Sequence, residues 1–494
     1  MLIAYKFTPE KLYEAVHELI RMTFPGSTLF KADDQANADI SIAIQTEPKQ
    51  NYLIFSGFIK EAGVCTELRK EYRLLNGAER NNEINRNIRR FAFELLSRHQ
   101  NKPISTYGIL TGVRPVKLVH RLIDDNKDEE EIKAVLENKF FLQPEKAALL
   151  TEVAFNNRKY LLAKEAAKKM VSIYIGIPYC PTRCYYCSFP GAVLKNYAQD
   201  ITPFLDSLLA EIKAVSLYLK AQQIKVQTIY IGGGTPTVLA NEDMAKLLEV
   251  INEYLKSEAT REITVEAGRP DTLSWVKLKT LKEGGITRVC INPQTMNDKT
   301  LAAIGRRHNE KEVIEAVELT RQAGIKQINM DIIVGLPGEE EPEFAYTANS
   351  ILKLHPENLT VHTLALKRGS IMAENEGRSS VEMRIKNVEE GVKYFTKALR
   401  AAHYTPYYLY RQKYMRGDME NTGFSRPDDF CIYNIQMMEE RQTIIGLGGG
   451  SASKFINPAD GSLTSIYNPK DPKTYLDSME RLVERKVDKL KGLN

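Results

Sequence analysis

Between residues 171 and 364 the chain repeats one pattern six times, a short apolar run followed by an amphipathic stretch. The apolar runs occupy 171–177, 228–231, 263–266, 288–291, 328–334 and 359–364. The amphipathic stretches between them include 204–219, 243–255, 273–282, 310–323 and 344–353. Short, nearly continuous apolar runs suit parallel strands covered on both faces, and helical periodicity suits the elements that cover them. Strand, crossover helix and parallel strand pack with a right-handed connection, so the repeats predict a parallel βα array. Six units fit a partial (β/α)6 barrel better than an eight-unit one. Ligands in such folds bind at the C-terminal ends of the strands.

At 494 residues the chain is too long for one core. Three regions are expected: an α+β and helical region at 1–165, the barrel at 166–370, and a C-terminal α+β extension at 371–494 that forms a lid or substrate region. In the first, 9–20 and 84–96 read as helices, 40–44, 52–58 and 65–72 as a meander, and the acidic run 124–131 as a solvated loop and helix start. In the last, helices at 381–401 and 472–491 flank a strand at 407–410 and a Gly-rich segment. The single tryptophan, Trp275, is expected to pack in a barrel helix.

No run of twenty apolar residues occurs, and Lys6, Glu10 and Lys11 interrupt the N-terminus, so neither a membrane span nor a secretory leader is expected. A cytoplasmic location follows from that reading. The net charge of +5 is too small to mark a nucleic-acid partner. Six cysteines without a secreted context do not read as a disulfide framework.

Three of those cysteines crowd into Tyr174-Ile-Gly-Ile-Pro-Tyr-Cys180-Pro-Thr-Arg-Cys184-Tyr-Tyr-Cys187-Ser-Phe-Pro, directly after the first barrel strand. Zinc usually takes four Cys or His ligands, and no fourth lies nearby. A redox dithiol needs only C-x-x-C and leaves Cys180 unexplained. Three thiolates from Cys180, Cys184 and Cys187 can hold three corners of a [4Fe–4S] cluster and leave the fourth iron open. The amino and carboxylate groups of S-adenosylmethionine can chelate that iron, and an electron from the cluster then cleaves the sulfonium bond.

Other strand ends carry a matching set. Gly232-Gly233-Gly234-Thr235-Pro-Thr follows the second strand, and its glycines let backbone approach a ligand. Glu266 ends the third strand, where a carboxylate can face a sulfonium or ribose hydroxyls rather than a surface ion pair. Asp331 opens Asp-Ile-Ile-Val-Gly-Leu-Pro-Gly338, and an acid in an apolar strand needs a partner.

From about 170 to 455 these motifs resemble the oxygen-independent coproporphyrinogen III oxidase family of radical S-adenosylmethionine (radical SAM) proteins, most of all its coproporphyrinogen dehydrogenase HemZ branch. Residues 1–165 resemble that branch's added N-terminal region through weaker motifs such as Leu110-Thr-Gly-Val-Arg-Pro-Val116. The resemblance implies that the Gly233-Gly234-Thr235 loop cradles the methionine amino end and that Tyr174 belongs to the same pocket. It implies that Gln294 touches the ribose or methionine part, that Asp331 meets ribose or adenosine, and that the backbone near Leu336 lines the adenine site. It also implies that Arg306, or its neighbour Arg307, grips the cofactor carboxylate. One or two cofactor molecules fit this resemblance, as does an electron donor such as a flavodoxin or ferredoxin.

The substrate end departs from the relatives. Phe189 stands where the coproporphyrinogen-oxidising branch has a fourth cysteine, and Gly176 where it has a histidine. Ile432-Tyr-Asn434-Ile-Gln-Met replaces the His-Asn-x-x-Tyr-Trp segment of the haem-carrying branch. In Tyr407-Tyr-Leu-Tyr410-Arg411-Gln412-Lys413, alternation puts Arg411 and Lys413 on one face, and Tyr410, Gln412 and Tyr414 on the other. Arg411, Lys413 and Arg416 suit the carboxylate arms of a tetrapyrrole, or else the segment is an amphipathic strand with core tyrosines. The function expected is oxidative decarboxylation of coproporphyrinogen III propionates to vinyl groups, giving protoporphyrinogen IX. The alternatives are a haem-binding or haem-delivery protein, or a radical SAM enzyme acting on haem or RNA.

Overall fold

The computed structural model describes residues 1–31, 38–73, 80–187, 192–194, 198–365, 370–372, 381–412, 419–457 and 459–492. The chain divides into two compact units, Met1–Thr151 and Glu152–Asn494.

In the first unit, strands β1 (Leu2–Thr8), β2 (Thr28–Lys31), β3 (Ile40–Lys49), β4 (Tyr52–Glu61) and β5 (Val64–Arg73) form one sheet in the order β2-β1-β3-β4-β5. The expected meander is its antiparallel β3-β4-β5 part. The parallel β1 and β2 were not expected from the sequence. Helices Leu12–Thr23 and Arg80–His99 supply Val16, Leu19 and Phe91 to a core completed by Ile3, Ile42 and Phe55. The acidic run starts helix Glu129–Phe140, where Asp128 and Glu131 form a reciprocal capping box.

The second unit is built on one large sheet. Its strands are β6 (Met170–Ile177), β9 (Lys225–Gly233), β10 (Glu262–Glu266), β11 (Arg288–Cys290), β12 (Gln327–Val334), β13 (Asn358–Thr363), β14 (Thr405–Tyr410), β15 (Asn421–Ser425), β16 (Ile444–Gly448), β17 (Ala452–Ile456) and β18 (Leu463–Tyr467), with the short pair β7 (Tyr179–Cys180) and β8 (Ala192–Val193) apart. The order is β14-β15-β13-β12-β11-β10-β9-β6-β16-β17-β18. The six expected strands run parallel in sequence order from β6 to β13, covered by helices Ile201–Ala221, Asn241–Tyr254, Trp275–Glu283, Glu310–Gln322 and Glu341–Lys353. Val, Ile and Leu side chains from both layers make the core, so each βα unit buries the face its own strand leaves open.

Residues 371–494 do not pack as a region apart. β16 adds a further parallel strand beside β6, β15 and β14 extend the sheet antiparallel beyond β13, and β17 and β18 close the other edge. Packing also changes sides near 151 rather than 165. Arg400 pairs with Glu152, Asn156 donates to the Pro406 carbonyl, and Asn157 to the Tyr407 carbonyl. Trp275 is 47% exposed at the start of its helix, so it does not pack as expected.

The Gly-rich segment turns out to be strand β16 and the turn after it. A Cβ on Gly176 would sit 2.5 Å from the Gly449 carbonyl oxygen, and one on Gly448 2.4 Å from that of Gly176. Only glycine allows this approach of β6 and β16. A buried acid anchors β16. Glu211 accepts from the Gly448 N–H at 2.7 Å and the Tyr475 hydroxyl at 2.7 Å, and pairs with Lys486 of the last helix, both ions being fully buried.

Candidate active site at the C-terminal ends of the barrel strands

A cavity of about 310 Å³ opens at the C-terminal ends of β6 and β9–β13. Its wall contains all three clustered cysteines, Cys180, Cys184 and Cys187, brought there by the chain leaving β6. The glycine turn after β9 is fastened to that loop. Gly234 donates its N–H to the Ile177 carbonyl at 2.8 Å and Thr235 to the Tyr179 carbonyl at 2.7 Å. A Cβ on Gly234 would lie 2.4 Å from the Tyr179 oxygen and 3.0 Å from Cys180 Sγ, and Gly233 has φ +111°. The Thr235 hydroxyl lies 3.8 Å from Cys180 Sγ. Cys290 and Cys431 are buried in the same unit but do not reach this wall, and Cys65 is exposed in the first unit.

Carboxylates come from the next strands. Glu266 accepts from the Tyr230 hydroxyl at 2.9 Å and the Gly233 N–H at 3.2 Å. Burial, helped by the charge of Asp331, pushes its carboxyl up to about 7 against those two hydrogen bonds. Asp331 moves the other way. Burial raises it, but His362, 3.7 Å away, and the Asn329 amide at 2.9 Å outweigh burial and hold it below the usual range. Two carboxyls in one cavity are thus pushed apart, one toward the neutral form and one toward the charged form.

Tyr174 stacks on Tyr230 beneath these acids, with ring centroids 6.0 Å apart, and reaches the cavity. Gln294 has φ +70° and is held by Gln294 N–H to the Asp331 carbonyl and Ile333 N–H to the Gln294 carbonyl, both 2.9 Å. Its side-chain oxygen has no partner, and neither do Asn292 Oδ1, Thr182 Oγ1, Arg306 Nε or Arg269 Nη1, all buried in residues of the wall. A left-handed non-glycine residue beside several unpartnered polar atoms marks a surface shaped for a polar ligand. Of the paired arginines, Arg306 is 8% exposed and lines the cavity, whereas Arg307 is exposed. Both Nη atoms of Arg306 already donate within the protein, to the Gly268 carbonyl at 2.7 Å and the Tyr186 hydroxyl at 3.0 Å. Leu336 packs with Leu301, Ile304, Ile333 and Leu364, of which Ile333 and Leu364 reach the wall.

Sequence reasoning missed Arg269, His362 and Asn292. Arg269 stood in plain view in the Glu266-Ala-Gly-Arg269 stretch, but nothing in the sequence showed it turning back toward the cysteine loop. At the substrate end the expected use of faces is reversed. Tyr410, Gln412 and Asn421 line the cavity, while Arg411 is 8% exposed and does not. Lys413, Tyr414, Arg416 and Phe189 lie outside the described residues.

The radical SAM superfamily profile matches residues 174–351. The oxygen-independent coproporphyrinogen-III oxidase-like protein HemZ of Bacillus subtilis is 40% identical over 92% of this chain and 91% of its own length. This chain belongs to that family of radical SAM proteins. The haem chaperone HemW of Bacillus subtilis is 38% identical over 40% of this chain and 51% of its own length, so the match spans about half of that relative. Among solved structures, coproporphyrinogen III oxidase (HemN) from Escherichia coli, a radical SAM enzyme, aligns with 20% identity over 65% of this chain and 72% of its own, at TM-score 0.49.

The family uses a [4Fe–4S] cluster and S-adenosylmethionine, and the cavity has the donors both require. It offers thiols at three points of its wall, acids for a cation and for hydroxyls, and buried amide and guanidinium atoms still wanting partners. Among the described residues no three His, Cys, Asp or Glu side chains converge as a site for a single ion. No helix among them is long and apolar enough to cross a membrane.

Proposed function

We propose that Cys180, Cys184 and Cys187 ligate the cluster, and that the protein oxidatively decarboxylates coproporphyrinogen III propionates to vinyl groups. The observation that carries this reading is the single cavity joining the cysteine loop, the glycine turn, Glu266, Gln294, Arg306 and Asp331. Its donor pattern suits one zwitterionic, cationic-sulfonium nucleoside. Held by the three cysteines and by Glu266, Gln294 and Asp331, the cluster and cofactor would supply the one-electron hydrogen-abstraction chemistry after which a propionate can lose carbon dioxide and one electron to become a vinyl group. Asp331, kept charged by His362, is placed to accept ribose hydroxyls, and Glu266 to face the sulfonium or the amino end. Gly233 and Gly234 let backbone reach the cofactor, and Thr235 steadies the Cys180 thiol.

The tetrapyrrole is proposed at the side of the cavity formed by His362, Tyr410, Gln412 and Asn421, which the cofactor assignment leaves over. His362 bonds Tyr410 through Nδ1 at 3.2 Å, and these side chains with Gln412 and Asn421 offer a polar wall that could hydrogen-bond a propionate. Because relatives named as haem chaperone HemW match part of this chain, haem binding without turnover is the competing reading. Anaerobic incubation of the reconstituted protein with coproporphyrinogen III, S-adenosylmethionine and a reductant, read by product mass, separates the two. Loss of two carboxyl groups supports the enzyme, and a stable stoichiometric haem complex with no tetrapyrrole product supports the carrier.

A further inference from the structure

Arg269 occupies the loop after β10, and only 3% of it is exposed. Its Nη2 donates to the Thr182 carbonyl at 2.8 Å and to Cys184 Sγ at 3.1 Å. The residue before it, Gly268, is itself held through its carbonyl by Arg306, whose second Nη grips Tyr186. Two buried guanidinium groups therefore clamp the short loop from Thr182 to Tyr186, and one of them touches a thiol directly. The loop after β10 and the segment after helix Asp298–Ala303 thus meet the cysteine loop and place a cation against Cys184.

We propose that Arg269 is a positioning residue that tunes the reduction potential of the cluster through its hydrogen bond to Cys184. The inference rests on the cluster assignment above. Three thiolates around a [4Fe–4S]²⁺ core carry a net charge of −1, and one added electron makes it −2. A buried cation bonded to a ligating sulfur favours the more negative state, and so raises the potential. The bond also withdraws electron density from the sulfur, which acts in the same direction. Arginine suits both tasks because its planar fork can bond a carbonyl and a sulfur while keeping its charge, which lysine's point charge cannot reproduce.

The test is an anaerobic redox titration with dithionite as the one-electron reductant, followed by electron paramagnetic resonance. It compares wild type with Arg269→Lys and Arg269→Gln, each reconstituted and assayed for iron. Both variants should hold four irons and titrate at more negative potential than wild type, Gln further than Lys. A potential equal to wild type in either iron-replete variant overturns the proposal. Loss of iron from both overturns it too, because Arg269 would then be needed to assemble the site rather than tune it. If the wild type itself takes up no four-iron cluster, the cluster assignment falls, and that outcome is distinct from either variant result.

Discussion

The Glu266 carboxyl makes cofactor binding depend on pH in a way that can be worked from its surroundings. With its pKa at about 7, the group is largely protonated at pH 6 and largely ionised at pH 8. Only the ionised form can face a sulfonium or serve purely as an acceptor. The competent fraction is about one in eleven at pH 6 and about ten in eleven at pH 8, so the apparent dissociation constant should fall about ten-fold across that interval. Bound cation favours ionisation, so binding at pH 6 should release a proton. Calorimetry in two buffers of different ionisation enthalpy would detect that proton. Glu266→Gln keeps the shape and should bind weakly at every pH, with no release and a shallower pH profile. The cofactor's own amino group also titrates, so the comparison that decides is wild type against variant at equal iron content. Identical slopes in the two proteins would refute the placement of Glu266 against the cofactor's charge. The fold should show the opposite trend. A carboxyl raised from 4.5 to about 7 holds its proton more tightly when folded, so its stabilising contribution is present below pH 4.5 and lost as pH rises through 7.

Alanine at Cys180, Cys184 or Cys187 should abolish the cluster absorbance, whereas alanine at Cys65, Cys290 or Cys431 should leave iron content unchanged after anaerobic reconstitution. Asp331→Ala should weaken S-adenosylmethionine binding about ten- to hundred-fold, the worth of a charged hydrogen bond of about 1.5–3 kcal/mol, with iron retained in equilibrium dialysis. Lys486→Met strands the Glu211 charge in the interior and should cost about 3–5 kcal/mol in denaturant unfolding, part of which Glu211→Leu added to it should restore. Gly176→His, which places the side chain found in the coproporphyrinogen-oxidising branch, should lower the melting temperature through overpacking of about 1–3 kcal/mol or more. A melting temperature equal to wild type would mean that β6 and β16 can separate freely.

The sequence by itself determined the βα array and singled out the cysteine loop as the candidate cluster site. Strands β6 and β9 to β13 announce themselves because a parallel strand buried on both faces must be almost wholly apolar, and that pattern is local. The three thiols, the glycine turn, Glu266 and Asp331 were legible for a related reason. Each interrupts or ends an apolar run with a residue type that such a run does not need, which is visible without coordinates, and the structure gathers them on one cavity wall. β1 and β16 were not legible. β16 reads Ile-Ile-Gly-Leu-Gly, and its glycines look like a loop until β6 is seen pressing against them. The face of the segment at 410–412 that meets the cavity was read the wrong way round, since alternation separates two faces but does not say which points inward. Only the tertiary structure chose Tyr410 and Gln412 over Arg411. The same holds for Arg269. Its contact with Cys184 joins residues 85 positions apart, and such a bond arises from how β10 and the cysteine loop meet in space. Periodicity records what one element needs of its neighbours, but not which neighbour will supply it.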